Sequence, residues 1–251
     1  MKFDFTGKVA LVTGATRGIG KQIAEDLETL GAELILTGTN RNEIEELNKQ
    51  SALTEQAKKR YFCVEFKCTE TINEFVEELK LEYSTIDICV NNAGINKIDY
   101  IWETEQEDFE NILSVNLAAP FMITREVSRM MKTNGYGRIV NISSIFGIIS
   151  RVKRSMYSVS KFGLNGLTLA SSNELAQYNV LVNAISPGFV LTDLTKSILS
   201  KKEIEELSKQ VPIGRFAEPG EISKAVIFLA SDMNTYISGQ NIVVDGGYIN
   251  V

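Results

Sequence analysis

Tyr157 and Lys161 stand four residues apart in Tyr157-Ser158-Val159-Ser160-Lys161. On a helix that spacing puts a phenol and an ammonium on one face, where they could move a proton together. A free phenol has a pKa of about 10, and a neighbouring cation lowers it. The pattern alone is common, and an exposed Tyr–Lys pair is its ordinary meaning. The composition sharpens it. The 251 residues contain no histidine, which excludes Ser-His-Asp and Cys-His catalysis and most zinc sites. No metal is expected, and acid–base work falls to Tyr, Lys, Asp or Glu. Cys63, Cys68 and Cys89 lie in or near apolar, strand-like segments without a C-x-x-C pair, and read as reduced core thiols. Ser143-Ser144 closes one apolar run upstream of Tyr157, and Asn91-Asn92-Ala93-Gly94 closes another. In an open α/β sheet, ligands bind at the carboxyl ends of the strands.

A second chemistry, the holding of phosphate, is carried by Thr13-Gly14-Ala15-Thr16-Arg17-Gly18-Ile19-Gly20. These residues join a first apolar strand to a helix. The glycines permit a tight turn and a close backbone approach, and the helix start offers unpaired N–H donors to a pyrophosphate. The spacing is G-x-x-x-G-x-G. About twenty positions further on, dinucleotide folds place an acidic residue against the adenosine ribose. Here Thr37-Gly38-Thr39-Asn40-Arg41 offers no carboxylate. A carboxylate would repel a 2′-phosphate, whereas the hydroxyls of Thr37 and Thr39 with a nearby guanidinium suit one, and Arg17 adds a second positive charge. NADP(H) is therefore favoured over NAD(H).

Elements able to position these groups alternate along the chain. Strands are expected over 9–13, 34–37, 61–66, 86–91, 138–143, 181–186 and 241–244, and helices over 19–30, 42–50, 72–83, 109–131, 156–178 and 221–229. Several strand runs are almost continuously apolar, as in parallel strands covered on both faces. The alternation predicts one α/β domain over 1–251, a doubly wound, seven-stranded parallel sheet with helices on both faces. Pro120 should kink or break the fourth helix, and an amphipathic piece over 201–210 reads as an insertion over the site, a lid. Lys plus Arg is 26 and Asp plus Glu 32, a net charge of −6. That balance argues against nucleic acid or an anionic membrane as partner. No apolar run reaches the roughly 18 residues that would span a bilayer. Met1-Lys2-Phe3-Asp4-Phe5 lacks the apolar core of a signal peptide, so a cytoplasmic location is expected.

Taken in order, these pieces resemble the short-chain dehydrogenase/reductase family over essentially the whole length. The match runs through T-G-x-x-x-G-x-G at 13–20, N-N-A-G at 91–94, Asn116, Ser144 thirteen residues before Tyr157, and Y-x-x-x-K at 157–161. It continues through Pro187-Gly188 with Thr192 to Asp245-Gly246-Gly247. The resemblance implies a Rossmann-like fold and NAD(P)-dependent interconversion of a ketone and a secondary alcohol. It makes Tyr157 the proton donor or acceptor and Lys161 the cation that lowers its pKa and holds the nicotinamide ribose. Ser144 would polarise the carbonyl, and Asn116 would hold a water linking Lys161 to solvent. Gly14, Thr16, Arg17, Gly18, Ile19, Gly20, Thr37 and Thr39 would form the phosphate and ribose side. Asn91, Ala93 and Gly94 would line the adenosine and ribose, and Pro187, Gly188, Val190 and Thr192 the nicotinamide. Family members often carry Asp or Asn against adenine where this chain has Lys67, which has no acceptor. Members also pair the two long helices, which here carry more apolar surface than one sheet face covers. A homotetramer is expected, with a dimer as fallback.

Within the family, the two ends of the chain most resemble bacterial 3-oxoacyl-[acyl-carrier-protein] reductases. Two departures count against an acyl-carrier substrate: Asn173 stands where those reductases tend to place an arginine, and Lys132-Thr133-Asn134-Gly135-Tyr136 is a thin basic cluster. Ser150-Arg151-Val152-Lys153-Arg154-Ser155, by contrast, puts three cations between Ser144 and Tyr157. They form either a solvated loop or subunit contact, or a site in which Arg151 and Arg154 bind an anionic small molecule such as a sugar nucleotide, sugar acid or hydroxy acid. A third reading is a dinucleotide-binding sensor without turnover, which would need a damaged set of Asn116, Ser144, Tyr157 and Lys161.

Overall fold

A computed structural model describes residues 3–53 and 59–251; Met1 and Lys2 of the opening segment lie outside them. Apolar, β-branched runs form seven strands: β1 (Val9–Val12), β2 (Glu33–Gly38), β3 (Lys59–Cys63), β4 (Ile88–Asn91), β5 (Gly137–Ile142), β6 (Val180–Pro187) and β7 (Asn241–Val244). They lie in the order β3-β2-β1-β4-β5-β6-β7, every neighbouring pair parallel. β4, β5 and β6 are buried along their whole lengths, because helices cover both faces. Strand order reverses between β1 and β4. Val12 is level with both Leu36 and Val90 there, so the carboxyl ends form one shelf at the switch point.

The helices are α1 (Gly18–Thr29), α2 (Arg41–Ala52), α3 (Thr69–Glu82), α4 (Gln106–Leu113), α5 (Ala119–Asn134), α6 (Ser155–Leu175), α7 (Asp193–Ile198), α8 (Lys201–Ser208) and α9 (Pro219–Ala230). One core layer packs Ile23 and Leu27 of α1 and Ile222 and Val226 of α9 against Val12, Leu36 and Val140. The other packs Phe75 and Leu79 of α3 and Ile123 and Val127 of α5 against Leu11, Ile35, Cys89 and Ile139. Among the described residues no helix is long and apolar enough to cross a membrane.

Several expectations need correcting, but not the break at Pro120: the stretch over 109–131 is α4 and α5 joined by a π-helical turn, Ser114–Ala118, in which the Ala119 N–H reaches Ser114 O. Pro120 explains it: it has no N–H for the carbonyl of Asn116, and its ring crowds that carbonyl, so the preceding turn widens. The piece at 201–210 is α8, started by a Ser200–Glu203 capping box, and the short α7 before it was not expected. Only Cys89 is a core thiol, pushed up to about 12 by burial. Cys63 is exposed because β3 is an edge strand, and Cys68, at the N-cap of α3, is partly exposed.

Candidate active site

The phosphate loop is fixed from behind. The Thr13 hydroxyl oxygen accepts the N–H groups of Asn92 and Ala93, each at 2.9 Å, tying the β1 loop to the β4 loop. The approach is close enough to require glycine. A Cβ on Gly14, at φ +63, would lie 2.9 Å from Ala93 Cα, and one on Gly20 would lie 2.3 Å from Asn92 Nδ2 and Gly14 O. Thr37 is fully buried, its hydroxyl accepting the Gly14 N–H at 3.0 Å and its carbonyl the Ala15 N–H at 2.8 Å. It braces the loop and does not face a ligand, so of the two threonines expected against a 2′-phosphate only Thr39 is exposed, beside exposed Arg41. Thr16 packs its methyl over Gly38, and Ile19 packs on the core. α1 starts at Gly18 after exposed Arg17, with no side-chain cap and no acidic residue in its first turn. Its own residues therefore leave its N–H groups and positive dipole end uncapped.

Across this helix start lies a second wall. Pro187 ends β6, Gly188 packs so tightly on Asp245 that a Cβ would lie 2.8 Å from it, and Val190 is buried. The Thr192 hydroxyl caps α7 by accepting the Thr195 N–H at 3.1 Å, while its methyl faces Gly18. From Ala93, against Gly14, the chain passes to Gly94, where a Cβ would stand 3.6 Å from Lys161 Nζ. Asn91 is not at this surface. Its amide donates to Asn141 Oδ1 at 2.8 Å and Thr124 Oγ1 at 3.1 Å, a buried strut between β4, β5 and α5. Close backbone and glycine approaches run from the uncapped helix start past Ala93 and Gly94 to Lys161, a setting that fits a nicotinamide dinucleotide.

Beyond Gly94 stand Lys161, Tyr157 and Ser144. Lys161 is buried, and its Nζ donates to Ile142 O at 2.8 Å at the end of β5. Burial pulls its pKa down to about 8. Nζ stands 5.6 Å from the centre of the Tyr157 ring. Burial raises the Tyr157 pKa, against a smaller lowering by a hydrogen bond with Ser144 and by the charge of Arg154. The ammonium expected to acidify the phenol thus faces a backbone carbonyl instead. Ser144 Oγ also accepts the Phe146 N–H at 3.1 Å, starting the 3-10 turn Ile145–Gly147. Asn116 is a staple: Oδ1 accepts from Ile95 N at 2.9 Å, and Nδ2 donates to Ile95 O at 2.9 Å and Ser160 Oγ at 3.0 Å. Its side-chain amide is engaged, and Pro120 offers its backbone carbonyl no N–H.

The three cations before α6 diverge. Arg151 is exposed. Lys153, at φ +66, puts Nζ 4.2 Å over the ring of Tyr100, which stacks on Trp102 at 4.7 Å. Arg154 is half-buried, its guanidinium carbon 5.1 Å from the centre of Phe146, whose ring meets Tyr157 edge-on at 6.4 Å. Sequence reasoning does not single out Thr13, Asn92 or Phe146 as site residues. Thr13 and Asn92 lie inside the motifs, but only the strand pairing reveals that they bond each other.

A family model described as enoyl-(acyl carrier protein) reductase matches residues 14–249. The chain is 40% identical over 247 residues to the 3-oxoacyl-[acyl-carrier-protein] reductase FabG of Aquifex aeolicus (strain VF5), covering 98% of this chain and 99% of that one. It is 35% identical over 244 residues to the protein of that name from Escherichia coli (strain K12), covering 97% and 98%. Among solved structures, a gluconate 5-dehydrogenase from Burkholderia cenocepacia J2315 in complex with NADP and tartrate superposes with a TM-score of 0.91 at 29% identity, covering 99% of this chain and 98% of that one.

Proposed function

The chain belongs to the short-chain dehydrogenase/reductase family and is an oxidoreductase acting on CH–OH groups; from that premise we propose that it interconverts a ketone and a secondary alcohol on an anionic or polar small molecule, with NADP(H). The observation that carries the reading is the meeting of Tyr157, Ser144 and Lys161 beside Gly94, on the same strand ends as the uncapped start of α1.

The α1 N–H groups with Gly14, Gly18 and Gly20 would hold the pyrophosphate, and Thr39, Arg17 and Arg41 the 2′-phosphate. Ala93, Gly94, Pro187, Gly188, Val190 and Thr192 would line the remainder of the dinucleotide. When bound, the nicotinamide supplies or accepts hydride. In reduction the Tyr157 hydroxyl gives its proton to the carbonyl oxygen, which Ser144 orients. The raised phenol pKa keeps that proton in place near neutrality but makes the phenol a weaker donor, so the phenolate left behind needs stabilising. Lys161, turned from Ile142 O toward the ribose hydroxyls and the phenol, would then stabilise the phenolate, and the Asn116 carbonyl would hold the water that returns a proton.

Half-buried Arg154 beside Tyr157 supports an anionic substrate, and so does the likeness to a gluconate 5-dehydrogenase holding tartrate. The second reading, reduction of a 3-oxoacyl thioester on an acyl carrier, is favoured by the identity to the FabG proteins. A panel of oxo acids, hydroxy acids and a short acetoacetyl thioester, followed at the nicotinamide absorbance with each cofactor, separates the two. Turnover of the thioester with none of the acids would overturn the first reading.

A further inference from the structure

Arg154 has the surroundings of a side chain whose partner is not part of the protein. It stands at the N-cap of α6, three residues before Tyr157. Its guanidinium rests on Phe146, and Phe146 stands edge-on to Tyr157, so the three side chains form one wall beside the phenol. The Nε–H is buried and has no acceptor among the described residues. Among the described residues the ionisable groups acting on the guanidinium are the Tyr157 phenol and Arg151, with no carboxylate. A buried N–H without an acceptor is destabilising, and the planar fork of donors on the half-buried guanidinium matches a carboxylate. Its two neighbours are placed differently, Lys153 over the Tyr100 ring and Arg151 in solvent.

We propose that Arg154 selects the substrate, taking the carboxylate of an oxo or hydroxy acid whose C–O group lies at Tyr157, while Arg151 and Lys153 stay outside that contact. This rests on the anionic-substrate reading and narrows it to carboxylic acids and to one residue. A sugar acid and a short hydroxy acid share the recognised group and differ only in the distance from carboxylate to reacting carbon.

The protein–NADP+ complex is titrated by calorimetry with D-gluconate, L-tartrate and 3-hydroxybutyrate, and with their uncharged counterparts D-glucitol, L-threitol and butan-2-ol. Wild type is compared with Arg154→Gln, Arg154→Lys and Arg151→Gln, with NADP+ affinity and circular dichroism reporting the fold. At least one acid should bind tighter than its counterpart by about tenfold or more, the worth of one charge-assisted contact. Arg154→Gln should abolish that preference, Arg154→Lys should weaken it several-fold, and Arg151→Gln should keep it. A preference that survives in Arg154→Gln overturns the assignment and leaves the anionic-substrate reading standing. If the glutamine variant does not fold, an unchanged preference in Arg154→Lys overturns it equally. A wild type that favours none of the acids overturns the reading itself, and the assignment with it.

Discussion

Withdrawing an ammonium and a phenol from water together moves their pKa values in opposite directions, and each shift has a measurable sign. Tyr157→Phe keeps the ring against Phe146 and removes the proton. NADPH should still bind while turnover falls about 10²–10⁴-fold, the usual worth of general acid catalysis; turnover within twofold of wild type would remove Tyr157 from the mechanism. Lys161 falls from its ordinary 10.5 to about 8 through burial. Below pH 8 both folded and unfolded chains hold the proton, and the full cost of burying the charge applies. Between about 8 and 10.5 the folded chain has released a proton that the unfolded chain retains, so this group makes stability rise with pH. Lys161→Met deletes that titration. The melting temperature of wild type minus that of the variant should be flat below pH 7 and climb from pH 8 to 10, and a flat difference throughout would show that the buried amine does not titrate there. Exposed Thr39 allows a third test. Thr39→Asp should lower the NADPH/NADH efficiency ratio by repelling the 2′-phosphate, and a wild type that prefers NADH would reverse the assignment.

At the scale of elements, the π turn is where backbone chemistry meets the site. Pro120→Ala restores an N–H that the Asn116 carbonyl can take in an ordinary helical bond. The variant should melt no lower than wild type, yet turn over about tenfold or more slowly, as expected when a group is misplaced by about an ångström. Calorimetry with initial rates checks both halves, and unchanged kcat would detach this turn from the chemistry. Elements with a strong local signature are legible in the sequence. Val9-Ala10-Leu11-Val12 reads as a doubly covered strand, and the break at Pro120 comes from one missing N–H. Lys59 and Arg60 escape a strand assignment because an edge strand tolerates charge, and α7 escapes because one short turn has no period to detect. The hydrogen-bond partners of Thr37, Asn91 and Lys161 are beyond reach for another reason. Each side chain could serve a ligand or a nearby backbone group, and only the packing of β1, β4 and β5 decides which stands within about 3 Å. Arg151 and Arg154 look alike in sequence; Phe146 separates them.

At the scale of the molecule, α6 carries Val159, Phe162 and Leu169 outward, with Phe121 projecting from α5, all at about half exposure or more. Large apolar side chains left in water on two long helices suit an interface, and a second copy of the chain would cover them through a two-fold axis. Light scattering at micromolar concentration should give a tetramer, or a dimer if only this face pairs, and Phe162→Glu should reduce the mass. A wild-type monomer would rule the assembly out.

The bonds from Asn92 and Ala93 to Thr13, 79 and 80 positions apart, also set a timetable for the growing chain. Pairing of β3, β2 and β1 needs only its first quarter, but that half-sheet leaves one edge of β1 open until β4 arrives, a surface prone to association. The phosphate loop is unlocked for the same interval, so the nucleotide has no finished site to bind. Added NADP(H) should therefore leave the early phase of refolding unchanged, and should accelerate or stabilise only the steps after β1 closes on β4.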